Sequence, residues 1–193
     1  MTTPPRLGPL LAQFDFALDQ LVTRLGGLSD AEYFWEPVPG CWSIRPRGQQ
    51  RTTGVRGGGA WVLERETPDP EPAPFTTIAW RLGHLAGTMF LRADHTTGTK
   101  SLTHDLYEYP GSADSGIAAL AAAGSAWREA LTTADDAALD RVGRSTYPSG
   151  SDPDDPFLDV VWWENQELLH HGGEIALLRD LYRAAGGATI ARP

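Results

Sequence analysis

Cysteine, lysine and asparagine each occur once in the 193 residues, as Cys41, Lys100 and Asn165. A single cysteine excludes an internal disulfide framework and a cysteine-based zinc site, and predicts a cytoplasmic location. Basic residues are also short: 16 against 25 acids, for a net charge of −9. No general basic face can form, so a nucleic acid or an anionic membrane would meet an unfavourable long-range field, and neither is expected as a partner. Long apolar runs are missing as well. Gln13, Asp15 and Asp19 interrupt the N-terminal apolar residues where a signal peptide needs continuity, and no other segment is apolar for long enough to span a bilayer. Arginine supplies 15 of the 16 basic residues. That bias, with abundant Ala, Gly and Pro, suggests a GC-rich genome and says little about chemistry.

Apolar residues make up 41% of the chain, ordinary for one domain, here 1–193, with a proper core. Leu10, Phe14, Leu18, Leu21 and Leu25 repeat at the spacing of one helical face, ended by Gly26 and Gly27. Ser29 caps a short turn. Residues from about 36 to 75 read as a long irregular loop, Gly- and Pro-rich from 45 onward, within which Trp61-Val62-Leu63 can pair as a short strand. Loops this long are often lids or binding loops. A second helix runs from Thr76 or Thr77 to near Gly98, a third starts near Asp114 or Ser115, a short turn follows around "DDAALDRV", and the fourth and longest spans about Phe157 to Ala185. Four substantial helices with sparse strand signal predict an all-α four-helix bundle.

The last helix carries the informative pattern, "ENQELLHHGGEIALLRDLY", residues 164–182. At about 100° per residue, Glu167, His171 and Glu174 fall inside the stripe formed by Ile175, Leu178, Leu181 and Tyr182. Taking a carboxylate out of water costs on the order of several kcal/mol unless it is paired or bound to a cation. A divalent metal is the most economical partner. The spacing Glu167-x-x-x-His171 sets both groups one turn apart on one face, close enough to grip the same ion. A third ligand must come from another helix, and His84 stands in the Trp80, Gly87, Leu91 stripe of the second helix with no obvious local partner. These three would leave coordination positions open, as catalytic zinc sites do, although nickel and iron accept the same donors. Gly172 and Gly173 each cost about 1 kcal/mol relative to Ala in a helix interior. Close backbone approach, or room beside the ligands, is expected there.

Each residue also has a plainer reading. An i,i+4 Glu/His pair is common on solvent-facing helices, and a buried histidine such as His84 often bonds only a backbone carbonyl. His170 points about 60° off the stripe, toward the rim, and would replace His171 if the helical phase were shifted. Glu174 can support His171, act as a base, or pair with Arg81 or Arg92. Asn165, His95, His104 and Cys41 carry no companion signal and are assigned structural or surface roles. Arg45, Arg47, Arg51 and Arg56 lie within "RPRGQQRTTGVRGGG", a segment without an acid. They suit carboxylates or other anions on a small ligand or cofactor, or a solvated loop balancing nearby acids. No Gly-Lys-Ser/Thr follows, so this is not a phosphate loop. "SDPDDP", residues 151–156, lacks the EF-hand pattern and reads as an acidic loop.

Three stretches together, "LSDAEYFWEPVPGCWSIRP", "IAWRLGHLAG" and "ENQELLHHGGEIALLRDLY", resemble the DinB/YfiT-like superfamily of metal-binding four-helix bundles. The likeness covers most of the chain and is nearest to actinobacterial members and to the N-terminal domain of mycothiol-dependent maleylpyruvate isomerase. It implies a DinB-type bundle with long crossover loops and His84, Glu167 and His171 as the metal triad. Many relatives place His-x-x-x-His on the last helix; this chain has Glu167 at the first of those positions, as the isomerase does. The resemblance further implies thiol S-transferase chemistry with mycothiol as cosubstrate, a small electrophile as second substrate, and a homodimer. Zinc coordination would deprotonate a thiol that otherwise ionises near pH ~8–9. Two other readings stand beside this one: a non-catalytic metal- or small-ligand-binding module, and a metal-free bundle that self-associates through apolar helix surface.

Overall fold

The computed structural model describes residues 3–147 and 154–190. Residues 148–153 of the acidic proline-rich stretch lie outside them. Helix α1, Gly8–Arg24, has Pro9 in its first turn, where a missing N–H costs nothing, and buries Leu11, Phe14, Ala17 and Leu21 on one face. The short α2, Asp30–Tyr33, begins where the Ser29 side chain accepts the Glu32 N–H. After the segment that follows, Thr77 accepts the Trp80 N–H and starts α3, Ile78–Thr97. Ser112 and Ser115 form a reciprocal cap for α4, Ala113–Thr132. A short α5, Asp136–Leu139, precedes α6, Phe157–Ala184.

Helix α3 packs against α4 and α6, and α1 packs against the same two, so the four long helices enclose one apolar cluster. Phe14, Leu82, Leu85, Leu120, Trp127, Leu168 and Ile175 sit at its centre. Burying each large apolar side chain contributes roughly 1.5–3 kcal/mol, which fixes how the faces of α3 and α6 are turned toward each other. No helix among the described residues is long and apolar enough to cross a membrane.

The expectation of an irregular loop over 36–75 in an all-α chain is corrected. Ile44–Pro46 (β1), Gly54–Arg56 (β2) and Trp61–Arg65 (β3) form an antiparallel sheet in the order β1-β3-β2. Ile44 pairs with Leu63, and Arg56 faces the same residue from the other side. Only β3 has a readable strand pattern. Pro46 and Gly54 count against strands, yet edge positions tolerate both. A buried carboxylate does much of the organising: Glu64 accepts the backbone N–H groups of Ser43 at 2.9 Å and Arg51 at 2.5 Å, and pairs with Arg45 at 3.0 Å. The sheet lies on α3 at Gly83, where a Cβ would stand 2.5 Å from Ile44 Cδ1. This contact places the sheet one residue from His84.

Candidate metal centre

His84 projects from α3 toward α6, where Glu167 and His171 occupy successive turns. His84 Nε2 lies 3.1 Å from Glu167 Oε2, and His171 Nε2 lies 3.4 Å from the same oxygen. One ligand atom from each residue falls within 4.8 Å of the other two. The Trp80 indole, one turn before His84, stacks on its ring with centroids 5.2 Å apart, and donates its N–H to the Glu64 carbonyl at 2.8 Å. Strand β3 thereby fixes the indole, and the indole fixes the imidazole.

His171 is held from its other nitrogen. Its Nδ1 donates to Glu174 Oε2 at 2.6 Å, and Arg81 pairs with the same carboxylate oxygen. Arg81 Nη1 is also 3.1 Å from Nδ1, but a guanidinium has no lone pair to offer. Both groups therefore donate to Glu174. The neighbouring His170 side chain is 57% exposed against 13% for His171; it stacks on the His171 ring with centroids 5.1 Å apart and reaches the outer Glu174 oxygen at 3.4 Å. The structure thus gathers His84, Glu167, His171 and Glu174, and leaves His170 at the rim.

The protonation states make this cluster unusual. Burial pushes the Glu167 carboxyl up, but hydrogen bonds from His171 and His84, with their charge, outweigh it and hold the group well below the usual carboxylate range. Burial pushes His171 down; Glu167 opposes this, His84 and Arg81 reinforce it, and the net shift is downward. A neutral His171 has one ring proton, and Glu174 claims it at Nδ1. Its Nε2 faces the ionised Glu167 oxygen at 3.4 Å, the oxygen that His84 Nε2 also reaches at 3.1 Å. Three donor atoms thus converge on one point around an ionised carboxylate, where a cation can replace the shared proton. Two imidazole nitrogens and a carboxylate oxygen are ordinary donors for a divalent ion, and three protein ligands leave a position open.

Three of the four arginines from the Gly-rich segment are engaged by the protein itself. Arg45 pairs with Glu36 at 2.8 Å and with Glu64, and Arg51 meets both Glu36 oxygens at 2.9 Å. Arg47 donates to the carbonyls of Gly57 and Gly59 at 2.6 and 3.0 Å. Arg56 differs: its Nη1 stands 3.2 Å from His104 Nε2.

Several residues near the centre carry no site role from sequence, and Arg92, an alternative partner for Glu174 there, pairs instead with Glu164 while Arg81 takes Glu174. Arg92 and Glu164, each 2% exposed, pair at 2.7 Å two turns beyond His84 and one turn before Glu167, and Tyr147 lies 4.2 Å beneath the Arg92 guanidinium. A charge at an apolar-stripe position of each helix was the available signal. Asn165 is buried and donates to the Leu10 carbonyl at 2.8 Å, tying α6 to α1. His95 is buried against the Leu102 carbonyl at 2.8 Å, and Cys41 is buried with its thiol on the Val38 carbonyl. His104, expected to be structural or at the surface, and Tyr147 come from connections without periodicity, and nothing in the sequence paired them.

The family profile of the DinB superfamily matches residues 51–175, a span that contains the whole His84, Glu167, His171, Glu174 cluster. No curated protein and no solved structure matches the chain.

Proposed function

This chain belongs to the DinB superfamily, and on that premise we propose that it is a metal-dependent enzyme of the thiol S-transferase type. In this reading residues 1–193 are one domain, the four long helices are the DinB-type bundle, and the enzyme acts in the cytoplasm. His84, Glu167 and His171 hold a divalent cation, zinc by preference, with nickel or iron compatible. The observation that carries the reading is the convergence of their three ligand atoms, two imidazole nitrogens on one ionised carboxylate oxygen.

When bound, the cation supplies the charge that favours the thiolate of a low-molecular-weight thiol, mycothiol in this reading, for attack on a small electrophile. Glu174 fixes the proton of His171 on Nδ1 and keeps Nε2 free to ligate. Arg81 neutralises Glu174 and already occupies the oxygen that faces His171, so Glu174 orients rather than removes a proton. Trp80 covers one face of His84 and keeps water from it. A homodimer completes the proposal. Phe16 on α1 and Leu169 and Leu177 on α6 are exposed, beside Gly172 and Gly173, where an added Cβ would meet only Leu21 at 3.9 Å or nothing at all.

The test is conjugation of mycothiol to a panel of soft electrophiles by zinc-loaded protein. The expected result is a thiol-dependent rate that disappears in His171→Ala. A rate equal to that of mycothiol in buffer, from protein carrying its full metal, overturns the transferase reading and leaves a metal-binding module.

A further inference from the structure

Arg56, at the end of strand β2, is half-buried, and among the described residues its hydrogen bond runs only to the ring of His104. Most of its N–H donors have no acceptor among the described residues. Burial, reinforced by the charge of Arg56 and of His84, holds the His104 pKa down to about 3. The imidazole is therefore neutral and cannot balance the guanidinium.

The surroundings repeat the same imbalance. The Tyr147 hydroxyl donates to His104 Nε2 at 2.8 Å, nearer than the Arg56 Nη1 at 3.2 Å. One lone pair thus faces two donors. With Nε2 accepting, the ring proton sits on Nδ1, which is buried without a partner. The Thr88 hydroxyl, on a residue 3% exposed and one turn beyond His84, adjoins the Tyr147 hydroxyl. Arg56 also lines a pocket of about 180 Å³ with Arg65, Thr67 and Asp105. Asp105 makes no ion pair with it, and Arg65 pairs with Asp69 at 3.1 Å. At His104 Nε2 two donors meet one acceptor, and the ring is close enough to His84 to interact with it electrostatically.

We propose that Arg56 and Tyr147 form a subsite for the carboxylate of a small molecule handled at the metal centre. The guanidinium fork matches a planar carboxylate through two parallel N–H bonds, and because His104 Nε2 can accept from Arg56 Nη1 instead, the Tyr147 hydroxyl can turn its proton to the carboxylate as well. The carboxylate belongs either to the thiol or to the electrophile. Its catalytic meaning rests on the metal-dependent reading above; binding of the anion does not.

The test is ligand-observed NMR titration of the zinc-loaded chain with propionate, mercaptopropionate and propanethiol. Arg56→Gln is expected to weaken both carboxylates about tenfold or more and to leave propanethiol unchanged, the loss typical of charged hydrogen bonds. Tyr147→Phe, which keeps the ring under Arg92, is expected to weaken them about threefold. A thiol-borne carboxylate predicts that mercaptopropionate binds more tightly than either fragment. An electrophile-borne one predicts that propionate and propanethiol bind together without competing. Wild-type propionate affinity in a folded Arg56→Gln protein overturns the subsite; if that variant does not fold, unchanged affinity in Tyr147→Phe does so. Metal content of the same samples separates the two readings. Zinc bound without Arg56-dependent propionate binding removes the subsite alone, whereas Arg56-dependent binding in protein that retains no zinc removes the metal reading and leaves the anion site.

Discussion

Glu174 is placed to act on a cation only through His171, whose proton it holds on the nitrogen that faces away from Glu167. Glu174→Gln is therefore expected to weaken metal affinity by about 10–100-fold without abolishing it, as loss of a ligand's orienting partner does; chelator competition measures this, and unchanged affinity contradicts the role. The titrating groups make a second expectation. His171 and His104 have folded pKa values below the ordinary 6.5, so the unfolded chain takes up protons more readily than the folded one. Their contribution to stability is complete above pH 6.5 and drains as pH falls, continuing toward about 3 for His104. Glu167 adds a loss below its ordinary 4.5. The melting temperature of metal-free protein should fall steadily from pH ~7 to ~4. A flat profile over that range contradicts these assignments.

Within the elements, two glycines beside the site should respond in opposite directions. Gly83 on α3 receives Ile44 and Tyr109, so Gly83→Ala forces a shift in a packed sheet-to-helix contact and should cost about 1–3 kcal/mol. Gly173 on α6 meets nothing within 4 Å, so Gly173→Ala should stabilise the isolated chain by about 0.5–1 kcal/mol. Urea denaturation of dilute protein reads both. The long helices were legible because each buries a continuous face, and their caps at Thr77 and near Ser112 were visible or nearly so. The cluster on α6 was legible for the same reason: Glu167 and His171 interrupt an apolar stripe at one-turn spacing. The sheet was not, because β1 and β2 are three residues each and owe their pairing to Glu64, a tertiary contact without local pattern. The arginine segment misleads for the same reason, since Glu36 and Glu64 reach Arg45 and Arg51 from distant positions.

At the scale of the whole molecule, the exposed Phe16 and Leu169 line the Gly172–Gly173 groove, and the exposed Leu177 follows one turn after Gly173. A dimer through this face should become monomeric in Leu169→Asp; sedimentation that shows a wild-type monomer contradicts it. The fold's larger consequence is that α3 and α6, held by a shared core, bring two imidazoles and a carboxylate from residues far apart in sequence within reach of one ion. Elemental analysis of protein purified without added metal tests this most directly. The account predicts about one divalent ion per chain in the wild type, and a small fraction of that in Glu167→Gln of unchanged helix content. A folded wild-type chain with no bound metal, or a Glu167→Gln variant that keeps its full complement, would contradict it.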